Sequence, residues 1–396
     1  MKILFVLGYS NPRPSAAWER IKTFTEVWAL KGHSVEILGT FDVTNLKKSG
    51  IDSCRGITLL NFIPWVARMR MRRIPIALFI NLFSSFFITS IVLFLKRPDI
   101  VVISVPTGDI GIGSMLSCIF SKRSFVVDFR DEWEDYGLRA TASKSMRSVY
   151  TILKRFTTLI YSKSLLIAAV TEGICSALRN RGLKRIEVVP NGANINLFKP
   201  RNKFRPSKKF RVIYVGQVGK YYRVDIVVKA IKKLVDDGLY NVELIIAGWG
   251  DIENLFEITS NLEVSNKVRY LGTINDKEKL SYEIAESSVG VIPYDDNPLW
   301  KNALPAKFFE YCACGIPIVA SVTRDSLLTR LIDEYQIGLC VPPLDVSSFA
   351  KALLQIYDSP DFALDAGTKA RRLIETHFDR EKIARRFLDL IRDSMV

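Results

Sequence analysis

Short apolar segments alternate with helical segments along the whole chain, and this alternation restricts the fold more than any other feature. The apolar segments are rich in β-branched residues and nearly free of polar ones, as strands buried on both faces of a parallel sheet are. In the first half, the predicted strands are residues 2–8, 33–40, 56–62, 99–106, 124–131, 164–171 and 185–191. A helix is predicted between successive strands, for example at residues 19–32, which indicates repeated βαβ units.

The alternation is interrupted by a segment of linker composition and then starts again. Residues 199–209 are polar and basic and contain two prolines. The strands predicted after this segment are residues 210–216, 241–248, 267–272, 288–294, 316–321 and 338–342. A helix is predicted within this second series at residues 225–238, and the chain ends in an amphipathic helix predicted at residues 379–395.

Two consecutive βαβ series in 396 residues predict two domains, because one compact core does not usually extend over such a length. We expect an α/β fold with two doubly wound, Rossmann-like domains that face a cleft. The expected bounds are residues 1–200 for the first domain and 201–378 for the second. The C-terminal helix, residues 379–396, is expected to pack back on the first domain.

Cysteine and histidine usage argues against a metal site and against secretion. The six cysteines form no C-x-x-C pair and there are two histidines, so a zinc site is not expected. The adjacent acids Asp295 and Asp296 point to different sides of an extended chain, which favours a loop turn over a metal site. The apolar amino-terminal stretch is too short for a signal peptide. We therefore expect a cytoplasmic protein without a metal or cofactor.

The positive charge of the chain is concentrated in its first half. Residues 1–200 hold 28 basic and 14 acidic residues, a net charge of +14, whereas the remaining residues hold 28 and 27, a net charge of +1. Such asymmetry predicts that the first half faces an anionic partner, either nucleic acid or an anionic membrane surface. Nucleic acid is the less favoured partner, because the arginines flank apolar residues rather than exposed aromatic ones.

An uncharged stretch of 22 residues, 74–95, lies inside the basic half. Its length is sufficient to span a bilayer. It also occupies the position of a crossover helix between strands 56–62 and 99–106, and a span would separate strands of one sheet across the membrane. We therefore expect a helix that lies in the membrane interface or is buried against the sheet. The basic residues expected to contact an anionic membrane before this stretch are Arg68, Arg70, Arg72 and Arg73.

The segment NALPAKFFEYCACGIPIVAS, residues 302–321, predicts a short helix followed by a buried strand. Pro305 suits the first turn of a helix, and Gly315 suits the position just past its end. Lys307 and Glu310 are three residues apart and share one helix face. The start of a helix favours an anion such as phosphate, although a surface ion pair would explain the same two residues.

Two glycine turns follow predicted strands of the second half. In GQVGKYYRVD, residues 216–225, Gly216 and Gly219 would let the backbone approach a phosphate. Lys220 and Arg223 would neutralise that phosphate. The segment differs from both the Walker A loop and the dinucleotide-binding motif, and glycine at such a position often serves only the turn. The second turn, in AGWGDIENL, contains Gly248 and Gly250.

The segment FRDEW places Asp131 at the carboxyl end of a strand in the first half, where ligands of such sheets bind. An acid at this position would serve either in catalysis or as a cap of the next helix.

The order of these segments resembles the carboxyl half of retaining GT-B glycosyltransferases of the group 1 type. It runs through the glycine turn, AGWG, VRYLG, GVIPY and the pattern P-x-K-x-x-E-Y-x-x-x-G-x-P-I-V-A-S. GHSVEIL and VVPNGANINLFKP in the first half are similar to the amino half of the same family. RDEW and the apolar stretch before PDIVVISVP resemble the branch that transfers acetamido sugars, including fucosamine-type sugars, to lipid-linked saccharides.

The resemblance implies a role for each candidate residue. Glu310 would hold the donor ribose hydroxyls, since a carboxylate accepts two hydrogen bonds. Asn302 stands where the family often has a second glutamate that touches the sugar, and Asp131 is the candidate on the acceptor side. Gly216, Gly219, Lys220, Arg223, Gly248, Gly250 and Lys307 would bind the donor. The sequence departs from the family at residues 11–18 and in the register of the basic residues of the first phosphate loop.

The function that the resemblance implies is retaining, metal-independent transfer of a sugar to a polyprenyl-linked saccharide in surface polysaccharide assembly, such as that of lipopolysaccharide or capsule. The donor would be a nucleotide-sugar, with UDP favoured over GDP, and it would be a substrate rather than a cofactor. The enzyme would lie on the inner face of the plasma membrane. Two alternatives remain open at this stage. They are a nucleotide-sugar epimerase, which the two histidines disfavour, and a noncatalytic partner subunit.

Overall fold

The computed structural model describes residues 1–7, 16–39, 57–61, 75–106, 109–141, 143–201, 209–219 and 221–396. The chain divides into two compact units. The first domain comprises Met1–Pro190 together with Glu381–Val396, and the second comprises Asn191–Arg380. Every strand predicted from the sequence is present, with bounds that differ by a few residues.

The first domain contains a parallel sheet, which has seven strands in the part of the chain that is described. Its order is β3-β2-β1-β4-β5-β6-β7. The strands are β1 (Lys2–Leu7), β2 (Ser34–Gly39), β3 (Ile57–Asn61), β4 (Ile100–Val105), β5 (Phe125–Phe129), β6 (Leu166–Ala169) and β7 (Ile186–Val188). The helices are α1 (Ala16–Leu30), α2 (Pro75–Lys96), α3 (Asp109–Phe120), α4 (Trp133–Ala140), α5 (Lys144–Tyr161) and α6 (Glu172–Asn180).

The second domain contains a parallel sheet with the order β10-β9-β8-β11-β12-β13. Its strands are β8 (Phe210–Val218), β9 (Val242–Gly250), β10 (Val268–Gly272), β11 (Val289–Pro293), β12 (Ile318–Ser321) and β13 (Gly338–Val341). Its helices are α7 (Val224–Asp236), α8 (Ile252–Asn261), α9 (Lys277–Ala285), α10 (Ala306–Ala313), α11 (Leu327–Tyr335), α12 (Val346–Asp358) and α13 (Pro360–His377). The last helix of the chain, α14 (Arg380–Met395), packs in the first domain.

Helices cover both faces of the first sheet and bury its apolar side chains. On one face, α1 and α14 pack together, with Phe24 and Phe387 in the same buried cluster. The indole Nε1 of Trp28 donates a hydrogen bond to the carbonyl oxygen of Ala384 at 2.8 Å, which joins the two helices directly. On the other face, residues of α2, α3, α5 and α6 form a second buried cluster, which includes Leu93 and Ile160.

The domain boundaries differ from those predicted. The sequence placed the first boundary after residue 200, at the polar linker, whereas residues 191–200 belong to the second domain. Phe198 is 2% exposed and packs in the core of that domain. The Nη1 atom of Arg371 donates to the carbonyl oxygen of Phe198 at 2.8 Å. Burial of the Phe198 side chain therefore holds residues 191–200 in the second domain. The polar composition of residues 199–209, from which the boundary was predicted, gives no sign of this burial. The second domain ends at Arg380 rather than residue 378.

The uncharged stretch forms α2 and connects two strands of one sheet. Phe79–Lys96 of this helix is long and apolar enough to cross a membrane, and 22% of that segment is buried. However, β3 before it and β4 after it both belong to the first sheet, where β2 and β1 lie between them. Both ends of α2 must therefore lie on the same side of any membrane, as expected for a crossover helix. Arg68, Arg70, Arg72 and Arg73 lie outside the described residues.

Candidate functional site

The end of β8 and the start of α7 form the first part of the candidate site. β8 extends to Val218, beyond the predicted end of the strand, so Gly216 lies within it. Gly216 has φ of 131°, a backbone conformation that favours glycine. Gly219 follows directly after the strand, and Arg223 occupies the N-cap position of α7 with φ of 33°. Lys220 lies outside the described residues.

Gly248 and Gly250 lie inside β9 rather than in a turn after it. A Cβ atom at Gly248 would lie 1.8 Å from the carbonyl oxygen of Gly216, and one at Gly250 would lie 2.0 Å from that of Val218. Both glycines are therefore required by the close pairing of β8 with β9. This packing gives them a structural purpose even without a ligand, and their predicted contact with the donor remains a prediction.

Lys307 is a buried cation beside the glycine turn. It lies in the first turn of α10 and is 7% exposed. Its Nζ atom has no hydrogen-bond partner among the described residues. The ammonium lies over the ring of Tyr214, 3.8 Å from the centroid, and a Cβ atom at Gly216 would lie 3.1 Å from Nζ. Burial lowers the pKa of Lys307 to about 7, although the nearby charge of Glu310 acts to raise this pKa.

A buried ammonium without hydrogen-bond acceptors is unstable, because desolvation of a charge must be compensated by a partner. The contact with the Tyr214 ring supplies part of that compensation as a cation–π interaction. The three N–H groups of the ammonium remain available to an anion that enters at the glycine turn. The alternative of a mere surface ion pair at Lys307 and Glu310 is therefore excluded, since both residues are buried.

Glu310 lies one turn further along α10 and is also 7% exposed. Lys277, in the first turn of α9, places its Nζ atom 3.8 Å from Oε1 of Glu310. The carboxylate thus has positive charge from Lys277 on one side and from Lys307 on its own helix. Sequence analysis missed Lys277. The capping residue Asp276 marks the start of α9, but no sequence signal indicates which helix faces that start.

Arg223 forms an ion pair within its own turn. Its Nε and Nη2 atoms each donate to a carboxylate oxygen of Asp225 at 2.9 Å, and this hydrogen bonding raises the pKa of Arg223. The predicted contact of Arg223 with a phosphate would require the guanidinium to share its donors with Asp225 or leave it. A guanidinium has five N–H donors, so sharing is chemically possible.

An aromatic cluster links the glycine turn to the segment that contains Asn302. The rings of Tyr294 and Trp300 are stacked, with centroids 4.1 Å apart and planes at 11°. Tyr222, on the turn before α7, packs against Trp300 with a centroid distance of 5.9 Å. Trp300 donates from Nε1 to Asp295 at 2.6 Å. Asn302 ends the same 3-10 helix, Pro298–Asn302, so the cluster fixes the backbone that carries it.

Asp295 behaves as a turn residue. Besides the Trp300 indole, its Oδ1 atom accepts a hydrogen bond from the backbone N–H of Asn297 at 3.2 Å, as in the predicted loop turn. Among the described residues, no group of three or more histidine, cysteine, aspartate or glutamate side chains is arranged to hold a metal ion.

A cavity of about 380 Å³ opens beside the glycine turn in the second domain. It is lined by Val218, Gly219, Arg223, Val224, Asp225, Asp251, Asn254, Leu255, Ile258 and Asp295. Lys307 and Glu310 do not line this cavity. The structure thus brings Gly216 and Lys307 together at the start of α10, with Glu310 one turn further along the helix, while Gly219 and Arg223 border the neighbouring cavity.

Asp131 lies in the first domain, just past β5. Its side chain reaches the surface, yet the surrounding protein desolvates the carboxylate enough to raise its pKa. The preceding strand is anchored by Asp128, which is fully buried and forms an ion pair with the buried Arg20 at 2.8 Å. Arg20 also donates to the carbonyl oxygen of Val189 at 2.9 Å. Asp131 therefore lies two residues past a strand that a buried ion pair anchors.

Comparison with known proteins finds a family match within the second domain. Residues 197–373 match the family described as glycosyl transferases group 1. The second domain is therefore similar in sequence to group 1 glycosyltransferases. Over 275 residues, 66% of this chain, the sequence is 23% identical to UDP-Gal:alpha-D-GlcNAc-diphosphoundecaprenol alpha-1,3-galactosyltransferase from Escherichia coli, of which 68% is covered. The residues that match this family include Lys307 and Glu310.

Solved structures show the fold of the whole chain. Sucrose-phosphate synthase from Thermosynechococcus elongatus superposes with a TM-score of 0.76 at 17% identity, covering 99% of this chain and 98% of that one. Anabaena Alr3699/HepE in complex with UDP-glucose has a TM-score of 0.73 at 15% identity, covering 99% and 100%. A Listeria monocytogenes protein described as a UDP-N-acetylglucosamine 2-epimerase reaches 0.63 at 14% identity, covering 100% and 96%. These similarities establish the GT-B fold, which glycosyltransferases share with that protein.

Proposed function

We propose that the protein is a retaining glycosyltransferase that moves a sugar from a UDP-sugar to a membrane-borne saccharide. The observation that carries this proposal is Lys307, a buried ammonium that faces the glycine turn at Gly216 and has no acceptor among the described residues. A diphosphate at the start of α10 would supply the missing acceptors. Glu310, one turn along the same helix, would then accept hydrogen bonds from the ribose hydroxyls.

The chemistry follows from these positions. The bond between the anomeric carbon and the diphosphate oxygen breaks, and a bond from the anomeric carbon to an acceptor oxygen forms, with the acceptor proton released. Negative charge grows on the leaving diphosphate, and Lys307 and the N–H groups at the start of α10 would stabilise it without a metal ion. Arg223 and Lys220 would add positive charge. Asn302 would hydrogen-bond a sugar hydroxyl, because an amide both donates and accepts.

UDP is the favoured nucleotide. The solved Anabaena protein contains UDP-glucose, and the name of the Escherichia coli relative specifies UDP-Gal. The name of that relative also specifies a diphosphoundecaprenol-linked sugar as acceptor. We propose an acceptor of the same class, a polyprenyl-linked saccharide, and place the reaction in surface polysaccharide assembly. Transfer of an acetamido sugar, including a fucosamine-type sugar, is the finer form of this proposal.

The enzyme is proposed to lie peripherally on the inner face of the plasma membrane, because a polyprenyl-linked acceptor cannot leave the bilayer. The first domain, with Asp131 as the candidate on the acceptor side, would bind this substrate. Its net positive charge would attract the anionic leaflet. Residues 65–97 would form the contact, with the apolar α2 preceded by Arg68, Arg70, Arg72 and Arg73.

The decisive experiment is a transfer assay with a panel of UDP- and GDP-sugars and a polyprenyl-diphosphate-linked saccharide. We expect nucleotide release that depends on the acceptor, and a product with the anomeric configuration of the donor by NMR. Lys307→Met should abolish most of this activity. Lys351→Met, which replaces an exposed lysine of α12, is the matched control and should not.

Two other outcomes would refute the proposal. Conversion of the sugar to an epimer without any transfer would show a nucleotide-sugar epimerase. Absence of turnover with every donor, together with activity restored by a second protein, would show a noncatalytic partner subunit.

A further inference from the structure

The helix α2 exposes large apolar side chains to its surroundings and buries polar ones against the protein. Beside the apolar Leu93, its inner side buries three polar residues, namely Asn81, Ser85 and Thr89, each at most 1% exposed. Its outer side presents large apolar residues that are 57–72% exposed. These are Phe79, Phe83, Phe87, Ile91 and Phe94. A surface helix in water normally buries its apolar side and exposes its polar side. The reversed arrangement is the one expected for a helix whose outer side meets lipid.

The contact between α2 and α3 also follows the pattern of helix packing in membranes. The hydroxyls of Thr89 and Ser114 form a hydrogen bond at 2.9 Å, and those of Ser90 and Ser117 form another at 2.9 Å. A Cβ atom at Gly113 would lie 2.1 Å from Oγ of Ser85, so the two helices approach closely only because this residue is glycine. Small residues and interhelical hydroxyl contacts are typical of helix pairs that have lipid around them.

A second helix on this domain presents an apolar ridge as well. Val149, Ile152, Phe156 and Leu159 of α5 are spaced three or four residues apart and are 42–67% exposed. The opposite side of α5 is buried through residues such as Ile160. The ridge therefore runs along the exposed side of a helix that is already packed on its inner side. Single apolar residues scattered over a surface need no explanation, but a row of four does.

The exposed sides of the two helices face away from the same face of the first sheet. Leu93 of α2, Met115 of α3 and Ile160 of α5 belong to one buried cluster on that face. The outer sides of α2 and α5 therefore both point away from the sheet. Between them α3 is largely buried, and it ends in Phe120, which is 74% exposed. These residues therefore all lie on the outer side of the helices that cover this face of the sheet.

The charge around α5 matches an anionic surface. Residues 136–171 contain no aspartate or glutamate. The same segment contains six basic residues, which are Arg139, Lys144, Arg147, Lys154, Arg155 and Lys163. Two copies of this chain that met through α5 in a two-fold arrangement would bring these like charges together. An anionic bilayer would instead satisfy both the apolar ridge and the basic residues beside it.

We propose that the outer sides of α2 and α5 form one lipid-docking face that rests on an anionic bilayer, with α5 as a contact separate from residues 65–97. The apolar ridge of α5 would enter the acyl boundary, and the flanking cations would remain among the lipid headgroups. This inference adds a second point of contact to the membrane association of the proposed function. It does not require glycosyl transfer, because vesicle binding is measured with no sugar donor present.

The test is sedimentation of the full chain with phosphatidylglycerol-containing vesicles and with phosphatidylcholine vesicles. Ile152→Ser combined with Leu159→Ser should lower the partition coefficient on anionic vesicles about tenfold or more, since two apolar side chains leave the acyl boundary. The matched control is Leu344→Ser combined with Leu364→Ser, which replaces two exposed leucines of the second domain and should leave binding unchanged. A melting temperature unchanged in both double variants shows that folding is retained.

A second pair of variants tests the charges. Arg155→Ser combined with Lys163→Ser should weaken binding to anionic vesicles and leave the weaker binding to phosphatidylcholine unaffected. Arg386→Ser combined with Lys351→Ser removes the same charge away from the proposed face and should have a smaller effect. Vesicle binding that is the same in the α5 variants as in the wild type would overturn the proposal. So would a dimer, by light scattering, that dissociates in the Ile152→Ser and Leu159→Ser variant while vesicle binding stays unchanged.

Discussion

Donor binding should be linked to uptake of a proton by Lys307. In the free protein, burial lowers the pKa of this lysine to about 7. At pH 8 roughly one lysine in ten is then protonated, by the ordinary titration relation. A diphosphate at the ammonium favours the charged form and raises this pKa. Binding of UDP at pH 8 should therefore take up about 0.9 proton, because most molecules must first protonate Lys307.

Calorimetry in buffers of different ionisation enthalpy measures this number directly. The terminal phosphate of UDP is fully ionised above pH 8, since its second pKa lies near 6, so it does not contribute. The affinity for UDP should fall about tenfold per pH unit from pH 8 upward, until the pKa of Lys307 in the complex is reached. Uridine, which lacks the phosphates, should bind without proton uptake and should lose nothing in the Lys307→Met variant.

The same lysine should make stability depend on pH. The unfolded chain binds this proton with the ordinary pKa of 10.5, while the folded chain binds it with a pKa of about 7. The protonated side chain therefore costs stability fully below pH 7, and this cost disappears as the pH rises toward 10.5. Its upper bound is 1.36 kcal/mol for each unit between the two values, or about 5 kcal/mol.

Lys307→Met removes that cost, so at pH 6.5 the variant should unfold at a higher urea concentration than the wild type. This difference in unfolding midpoint should become smaller by pH 10. The reasoning would be refuted by UDP binding that takes up no proton between pH 8 and 9.5. Equal pH dependence of unfolding in the wild type and the variant would refute the assigned pKa.

Four further predictions concern the other candidate residues. Glu310→Gln should weaken both UDP and uridine by about 1.5–3 kcal/mol, the usual loss of a charged hydrogen bond, with an unchanged melting temperature; unchanged affinities would exclude a ribose contact. Lys277→Met should weaken uridine binding by roughly 1 kcal/mol, the scale of a partly exposed ion pair, and an effect on UDP alone would instead place this lysine at the diphosphate. Asp131→Asn should slow transfer to the acceptor but not UDP binding, and the reverse result would move it to the donor side. EDTA should leave activity largely intact, whereas complete loss that Mg²⁺ restores would indicate a metal site at Asp295 and Asp296.

The architecture was accessible from the sequence because buried parallel strands leave a strong local pattern. The helix predicted at residues 305–314 is present as Ala306–Ala313, and the strand after it as Ile318–Ser321. Proline at the start of such a helix and glycine after it act through local backbone preferences. These preferences do not depend on the rest of the chain, so a single sequence reveals them.

The contacts of the candidate site were less accessible, because they join segments that are far apart in the chain. Tyr214 and Lys307 are nearly a hundred residues apart, yet the ammonium lies over the ring. Gly248 and Gly250 were predicted to bind the donor from a turn after a strand, and the structure shows a second reason for them, since the pairing of β8 with β9 requires glycine at both positions. Residues 191–200 were assigned to the wrong domain because the burial of Phe198 depends on the second domain being folded.

The return of α14 to the first domain has a consequence for biosynthesis. A chain emerges from the ribosome with its amino-terminal part first, and an amino-terminal domain usually folds first. Here residues 381–396 pack beside α1 on one face of the first sheet, and they are synthesised only after the entire second domain. The first domain therefore spends the translation of the second domain with part of this apolar face uncovered, and during that interval the nascent chain is a natural substrate for chaperones.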